Sequence, residues 1–212
     1  MERKVGTVSR GIRCPIIRQG DDLTKIVVDS VMEASEAEGF EIRDRDVIAV
    51  TESIVARAQG NYASVEAIAQ DVREKLGGET IGVIFPILSR NRFAICLRGI
   101  AMGAKKVVLM LSYPSDEVGN ELVTFDQLDA AGINPYSDVL TLEKYRELFG
   151  ENKHPFTGVD YVSYYGDVIR EAGAEAEIIF ANDCRSILAY TKNVLNCASH
   201  TRALTKRLLL AA

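Results

Sequence analysis

The sequence predicts an α/β fold: a mainly parallel sheet with flanking helices, preceded by a smaller N-terminal α+β segment. Beyond Gly78 the chain alternates short apolar runs, TIGVIF (80–85), KVVLMLS (106–112), EIIFA (177–181) and NVLNCA (193–198), with helical patterns. Runs that are apolar at almost every position suit strands buried on both faces, as in a parallel sheet covered by helices. The 212 residues, 47% of them apolar and 26% charged, can bury one sizeable core or two small lobes.

The elements follow in order. GDDLTKIVVDSVMEASEAEG reads as a capped helix: Asp21 or Asp22 accepts from the first free N–H groups, Leu23, Ile26, Val27, Val31 and Ala34 keep helical spacing, and Gly39 stops it. DVIAVT (46–51) and SIVARA (53–58) are short and β-branched and read as paired strands, a hairpin over 46–60. Ser64 caps a helix whose stripe is Val65, Ile68, Ala69, Val72 and Leu76, with Gly77 and Gly78 as its exit. These elements form an N-terminal segment, 1–78, and the α/β core occupies 79–212. Within the core, 113–173 is a long connection holding TLEKYRELFG and GVDYVSYYGDVIREAG, read as a helical insertion over the sheet.

Composition excludes several functions. The net charge of −5 argues against a general nucleic-acid binder, and apolar runs as short as VVLML cannot span a bilayer, so neither nucleic acid nor membrane is expected as a partner. MERKVGTVSRG lacks the apolar core of a signal peptide, which makes a cytoplasmic protein the expectation. Cys14, Cys96, Cys184 and Cys197 form no C-x-x-C pair, and three of them sit in apolar surroundings that suggest reduced, buried thiols.

Ligands of open α/β sheets bind beyond the carboxyl ends of the strands, where loops diverge and helix N-termini point inward. Here those ends carry Ser89-Arg90-Asn91-Arg92, Ser112 through Glu117, Asn182-Asp183-Cys184-Arg185 and Ser199-His200-Thr201-Arg202. Arg90, Arg92, Arg185 and Arg202 are therefore candidates for binding a phosphate or carboxylate, and Asp116 and Asp183, with Glu117, for holding a hard divalent cation against it. The competing reading is that the Ser, Asn and Asp residues only cap helices. Arg at three of four ends favours an anion, because a cation at a helix start opposes the dipole.

Other patterns carry less. GIAMGAKK (99–106) has the wrong spacing for a phosphate loop, Cys197 and His200 lack a second pair to complete a zinc site, and His154 before Pro155 reads as a loop residue. The tyrosines of DYVSYYGDV read as packing, with Tyr161 or Tyr164 able to stack on a ligand ring.

GDDL at 20–23, followed by DRDVIAVTESIVARAQG at 44–60, resembles the N-terminal region of the coenzyme F420 gamma-glutamyl ligases (coenzyme F420-0:L-glutamate ligase), in a divergent bacterial-type branch. Members open with a similar GDDL helix start and a D-V-(L/I)-V-V-T-x-K-(I/V)-V-S-K-A-E-G hairpin, and the resemblance covers roughly the first 60 residues. It implies a GTP-dependent ligase that joins L-glutamate to the deazaflavin precursor through an amide, with a divalent metal (Mg or Mn). It also implies that Ser53 and Arg57 face the anionic ligand, Arg57 where the family has Lys, and that the chain forms a homodimer. Ser53 departs from the family's first Lys, and the later N-A-G-V-D-x-S-N and D-T-x-G-R motifs are absent, so no catalytic residue is carried over. A non-catalytic module that binds a phosphorylated metabolite or nucleotide and regulates a partner domain is the alternative. The apolar ending RALTKRLLLAA, without a helix terminator, suggests the N-terminal part of a longer protein.

Overall fold

Asp22 opens the first helix, α1 (Leu23–Glu38), by accepting from the Lys25 N–H, and Gly39 closes it at φ 66°, a conformation that glycine adopts without steric cost. This is the computed structural model of the chain; it describes residues 6–212 and divides into two units, residues 1–63 and 64–212. The first five residues, part of the stretch read as lacking a signal-peptide core, lie outside the described residues.

The first unit holds α1 and a second helix, α2 (Glu52–Gln59), joined by extended segments that enter no sheet among the described residues. This corrects the hairpin expected over 46–60. Ile54 and Val55 read as strand, but the segment carries a complete set of helix ends: extended Thr51 at the N-cap, Glu52 in the first turn, Arg57 in the last, and Gly60 left-handed at φ 70°. Glu, Ala, Arg and Gln between them favour helix, and the Gly60 N–H closes the last turn on the Ala56 and Arg57 carbonyls. A Gly20 N–H to Ala58 carbonyl bond of 2.9 Å ties the GDDL turn to α2.

The second unit begins with α3 (Val65–Leu76), which Ser64 caps by accepting from the Ala67 N–H. Then come β1 (Thr80–Ile84), α4 (Phe93–Met102), β2 (Lys106–Leu111), α5 (Phe125–Ala131), β3 (Leu140–Thr141), α6 (Leu142–Phe149), α7 (Tyr161–Glu171), β4 (Glu175–Phe180), a short 3₁₀ helix (Cys184–Ala189), β5 (Val194–Asn196) and α8 (Arg202–Ala211). The sheet order is β3-β4-β2-β1-β5. β1 pairs in parallel with β2 and β5, β2 pairs in parallel with β4, and β3 adds an antiparallel edge. The α/β class and the four predicted strands are therefore present in one mixed, mostly parallel sheet.

Both faces are covered, which is why the strand sequences are continuously apolar. Val83, Leu109 and Leu111 meet one layer with Leu97, Ile100, Tyr145 and Tyr165, whereas their neighbours Ile84, Val108 and Met110 meet Cys184 and Ile187 on the other side. The connection 113–173 is less of an insertion than expected: β3 joins the sheet, and α7 is the crossover helix leading into β4. α3, expected with the N-terminal segment, belongs to the second unit, where Gly99 and Gly103 of α4 meet Ile68, Ala69 and Val72. Cys184 is buried and Cys197 partly so, but Cys14 and Cys96 are exposed, since Cys96 lies on the outer face of α4. No helix of the described residues is long and apolar enough to cross a membrane.

Candidate functional site

Parallel pairing brings the loops after β1, β2, β4 and β5 to one edge, as the sequence requires, and there they are bonded to one another. Asp116 is 6% exposed, and its carboxylate accepts four hydrogen bonds. Oδ1 takes the Val118 and Asn120 N–H groups at 3.0 and 2.8 Å; Oδ2 takes the Leu88 N–H and Asn120 Nδ2, each at 2.8 Å. Glu117 reaches the loop after β5, accepting from the Ser199 N–H at 2.6 Å and the His200 N–H at 3.1 Å. Burial alone would raise the Glu117 carboxyl, but the two N–H groups outweigh it and hold the group below the ordinary carboxylate range. Asn182 joins β4 to the loop after β2, accepting from the Tyr113 N–H and donating to the Tyr113 and Pro135 carbonyls.

The predicted cations have different neighbours. Arg185 closes on Asp183, Nε at 2.9 Å from Oδ1 and Nη2 at 2.6 Å from Oδ2, a pair that lowers the Asp183 carboxyl. Arg202 donates from Nε to the Ala198 carbonyl at 3.3 Å. Arg92 is exposed before α4, its N–H on Ser89 Oγ. Arg90 lines a small cleft of about 380 Å³ with Arg98, Ile95 and Tyr164. Ser53 is exposed on α2.

These residues do not fit a divalent cation. Both Asp116 oxygens are filled by protein donors, both Asp183 oxygens are held by Arg185, and no group of three or more His, Cys, Asp or Glu among the described residues is placed to hold an ion.

The larger concavity lies within the first unit, a groove of about 710 Å³ between α1, α2 and the extended segments. Ile26, Val27 and Val31 of α1, Ile54 of α2, and Ile12, Ile17 and Ile48 make its apolar walls; Arg57, Thr51, Asp46 and Arg10 supply polar groups. Arg10 also stands 4.7 Å over the Phe40 ring. The size and the pairing of apolar walls with Arg57 and Arg10 suit a small organic ligand with an anionic group. Of the candidate binding residues named from the sequence, Arg57 is the one in this groove. Asp46, Ile48, Thr51 and Ile54 were missed because 46–58 reads as strands, and the α1 residues because their stripe reads as core packing.

Sequence reasoning also missed Tyr165, whose hydroxyl accepts from the Ser89 N–H and donates to the Ile87 carbonyl, both at 2.7 Å. Burial pushes its phenol well up, so it remains a donor, and burial pushes the Cys197 thiol up to about 12.

The family model described as F420-0:Gamma-glutamyl ligase matches residues 11–182. That span contains Arg57 and most of the groove's lining, though not Arg10, together with β1, β2 and β4, and stops before Asp183, Arg185 and Arg202. A coenzyme F420:L-glutamate ligase of Methanothermobacter thermautotrophicus is 32% identical over 68 residues, which are 30% of this chain and 25% of the relative. The chain thus spans a quarter of the length of the curated relative it matches. No solved structure matches it.

Proposed function

Because the chain belongs to the F420-0:Gamma-glutamyl ligase family, we propose that it takes part in joining glutamate to an anionic acceptor through an amide, with the groove of the first unit as its ligand site. The observation that carries this reading is Arg57 on the wall of a groove of mixed apolar and polar lining, inside the family match. A guanidinium there binds a carboxylate or phosphate through two parallel N–H bonds, while the apolar walls offer a surface for the rest of the ligand. The reading extends to GTP as the activating co-substrate: a nucleoside triphosphate supplies the phosphoryl group that makes a carboxylate acylable, and Arg57 with Arg10 offers cations to its phosphates. The reading assigns no role to a metal, because both oxygens of Asp116 and of Asp183 are held by protein donors.

Thermal-shift and titration experiments with GTP, ATP and a deazaflavin phosphate test the proposal. Ligand binding to the folded state raises its stability, and Arg57→Ala should weaken anion binding by about 1.5–3 kcal/mol, the scale of a charge-assisted hydrogen bond. Equal affinity in wild type and Arg57→Ala would remove the groove from consideration. A second reading, a module that binds an anionic metabolite and regulates a partner without catalysis, is favoured by the closed hydrogen bonding at the strand ends. Tight binding with no nucleotide turnover would select it.

A further inference from the structure

Loop 153–160 is built around the His154 ring. Nδ1 lies 3.3 Å from the Phe156 N–H and 3.2 Å from the Thr157 N–H, and Nε2 lies 3.2 Å from Asn120 Oδ1. The neighbours dictate which nitrogen carries hydrogen. Asn120 Nδ2 stands 2.8 Å from Asp116 Oδ2 and 3.4 Å from the Leu88 carbonyl, both acceptors, so this amide presents its oxygen to the ring. An oxygen acceptor calls for N–H at Nε2, and two N–H donors call for a lone pair at Nδ1. The ring is therefore fixed from both sides as the neutral Nε2–H tautomer.

Within 154–158 little else orders the turn, whereas Val159 packs against the core and Asp160 caps α7 and pairs with Arg146. The His154 N–H bonds to the Val159 carbonyl at 2.9 Å and the Gly158 N–H to the His154 carbonyl at 2.8 Å, so the backbone bonds also pass through His154. Pro155 has no N–H to give, and Phe156 is 96% exposed, so burial of that ring does not hold the loop down.

We propose that His154 is a proton-operated latch: a proton added at Nδ1 turns the acceptor of the Phe156 and Thr157 N–H groups into a donor and opens the 154–158 turn. Nε2–H goes on donating to Asn120 Oδ1 in the charged ring, so the anchor on the 116–120 turn persists while the 154–158 turn opens. The surrounding groups supply no substitute acceptor among the described residues. Asp116 lies behind Asn120 with both oxygens filled, Tyr161 of α7 meets the ring edge-on at 5.8 Å between centroids, and Asp160 is paired with Arg146 of α6 at 2.8 Å. Lys153 on the loop and Glu151 just before it are exposed.

Amide hydrogen exchange over 153–160, corrected for the intrinsic pH dependence of exchange, tests the latch on the full chain at about pH 8 and about pH 5.5, which bracket the range where histidine changes charge. Protection of the Phe156, Thr157 and Gly158 amides should fall roughly tenfold or more on acidification, the loss expected for one or two hydrogen bonds. His154→Asn keeps a side-chain acceptor for the turn but cannot titrate there, so its protection should hold at both pH values. His154→Ala should be unprotected at both. Constant wild-type protection, an equal fall in His154→Asn, or retained protection in His154→Ala would each overturn the proposal.

Discussion

Asp116 shows how a single carboxylate can be mistaken for a metal ligand. A hard anion after a strand has the right chemistry, but four protein donors converge on it, and its work is to hold Leu88 and the 116–120 turn together. Asp116→Asn turns an NH₂ toward two of those donors and should lower unfolding stability by roughly 2–3 kcal/mol, measured by urea denaturation. Tyr165→Phe keeps the buried ring but strands the Ser89 N–H and the Ile87 carbonyl, and should cost about 1–3 kcal/mol with an unchanged urea slope. Glu117 makes a pH-dependent contribution. Its folded-state pKa lies below the ordinary 4.5, so its stabilisation is complete above that value and is lost as pH falls through the lowered one. Wild type should therefore lose urea resistance more steeply below about pH 4.5 than Glu117→Gln, and parallel pH profiles would refute the clamp.

At the scale of elements, close approach decides what propensity leaves open. Gly99 lies within α4, where alanine would gain about 1 kcal/mol of helix propensity. A Cβ there would stand 2.9 Å from Ile68 Cβ and Cγ2 and 3.0 Å from the Val65 carbonyl, forcing α3 and α4 apart. Overpacking of this kind costs about 1–3 kcal/mol, so Gly99→Ala should lower the melting temperature despite the better helix former. The same competition explains α2. Its β-branched Ile54 and Val55 argued for a strand, but its end signals and the Gly20–Ala58 bond support a helix.

At the scale of the molecule, the two units differ in how much apolar surface they bury. Among the described residues, the buried hydrophobics of the first unit are Ile17 and Ala58, while the second unit holds both core layers. Residues 41–50 are exposed throughout, Val47 by 89%, and enter no ladder. Within that stretch the run VIAV (47–50) is exposed, apolar and outside any sheet, a template for association, which supports the proposal that the chain forms a homodimer. Light scattering should show a species of twice the chain mass at micromolar concentration, and Val47→Lys should shift it toward monomer. A monomer throughout would count against it.

The sequence by itself determined the α/β class, the positions of β1, β2, β4 and β5, the capped helices α1 and α3, and the family. Each of these rests on local chemistry: runs apolar on both faces, Asp22 and Ser64 as caps, Gly39 and Gly77 as exits, the GDDL turn. Only the tertiary structure decided that 52–59 is helical, that Leu140–Thr141 completes the sheet edge, and that Asp116, Asp183 and Arg185 spend their charges within the protein. Those outcomes depend on partners far along the chain, such as Leu88 for Asp116 and Phe180 for Leu140, and spacing along one segment does not contain them. A strand-end carboxylate looks the same in sequence whether a cation or four N–H groups fill its lone pairs.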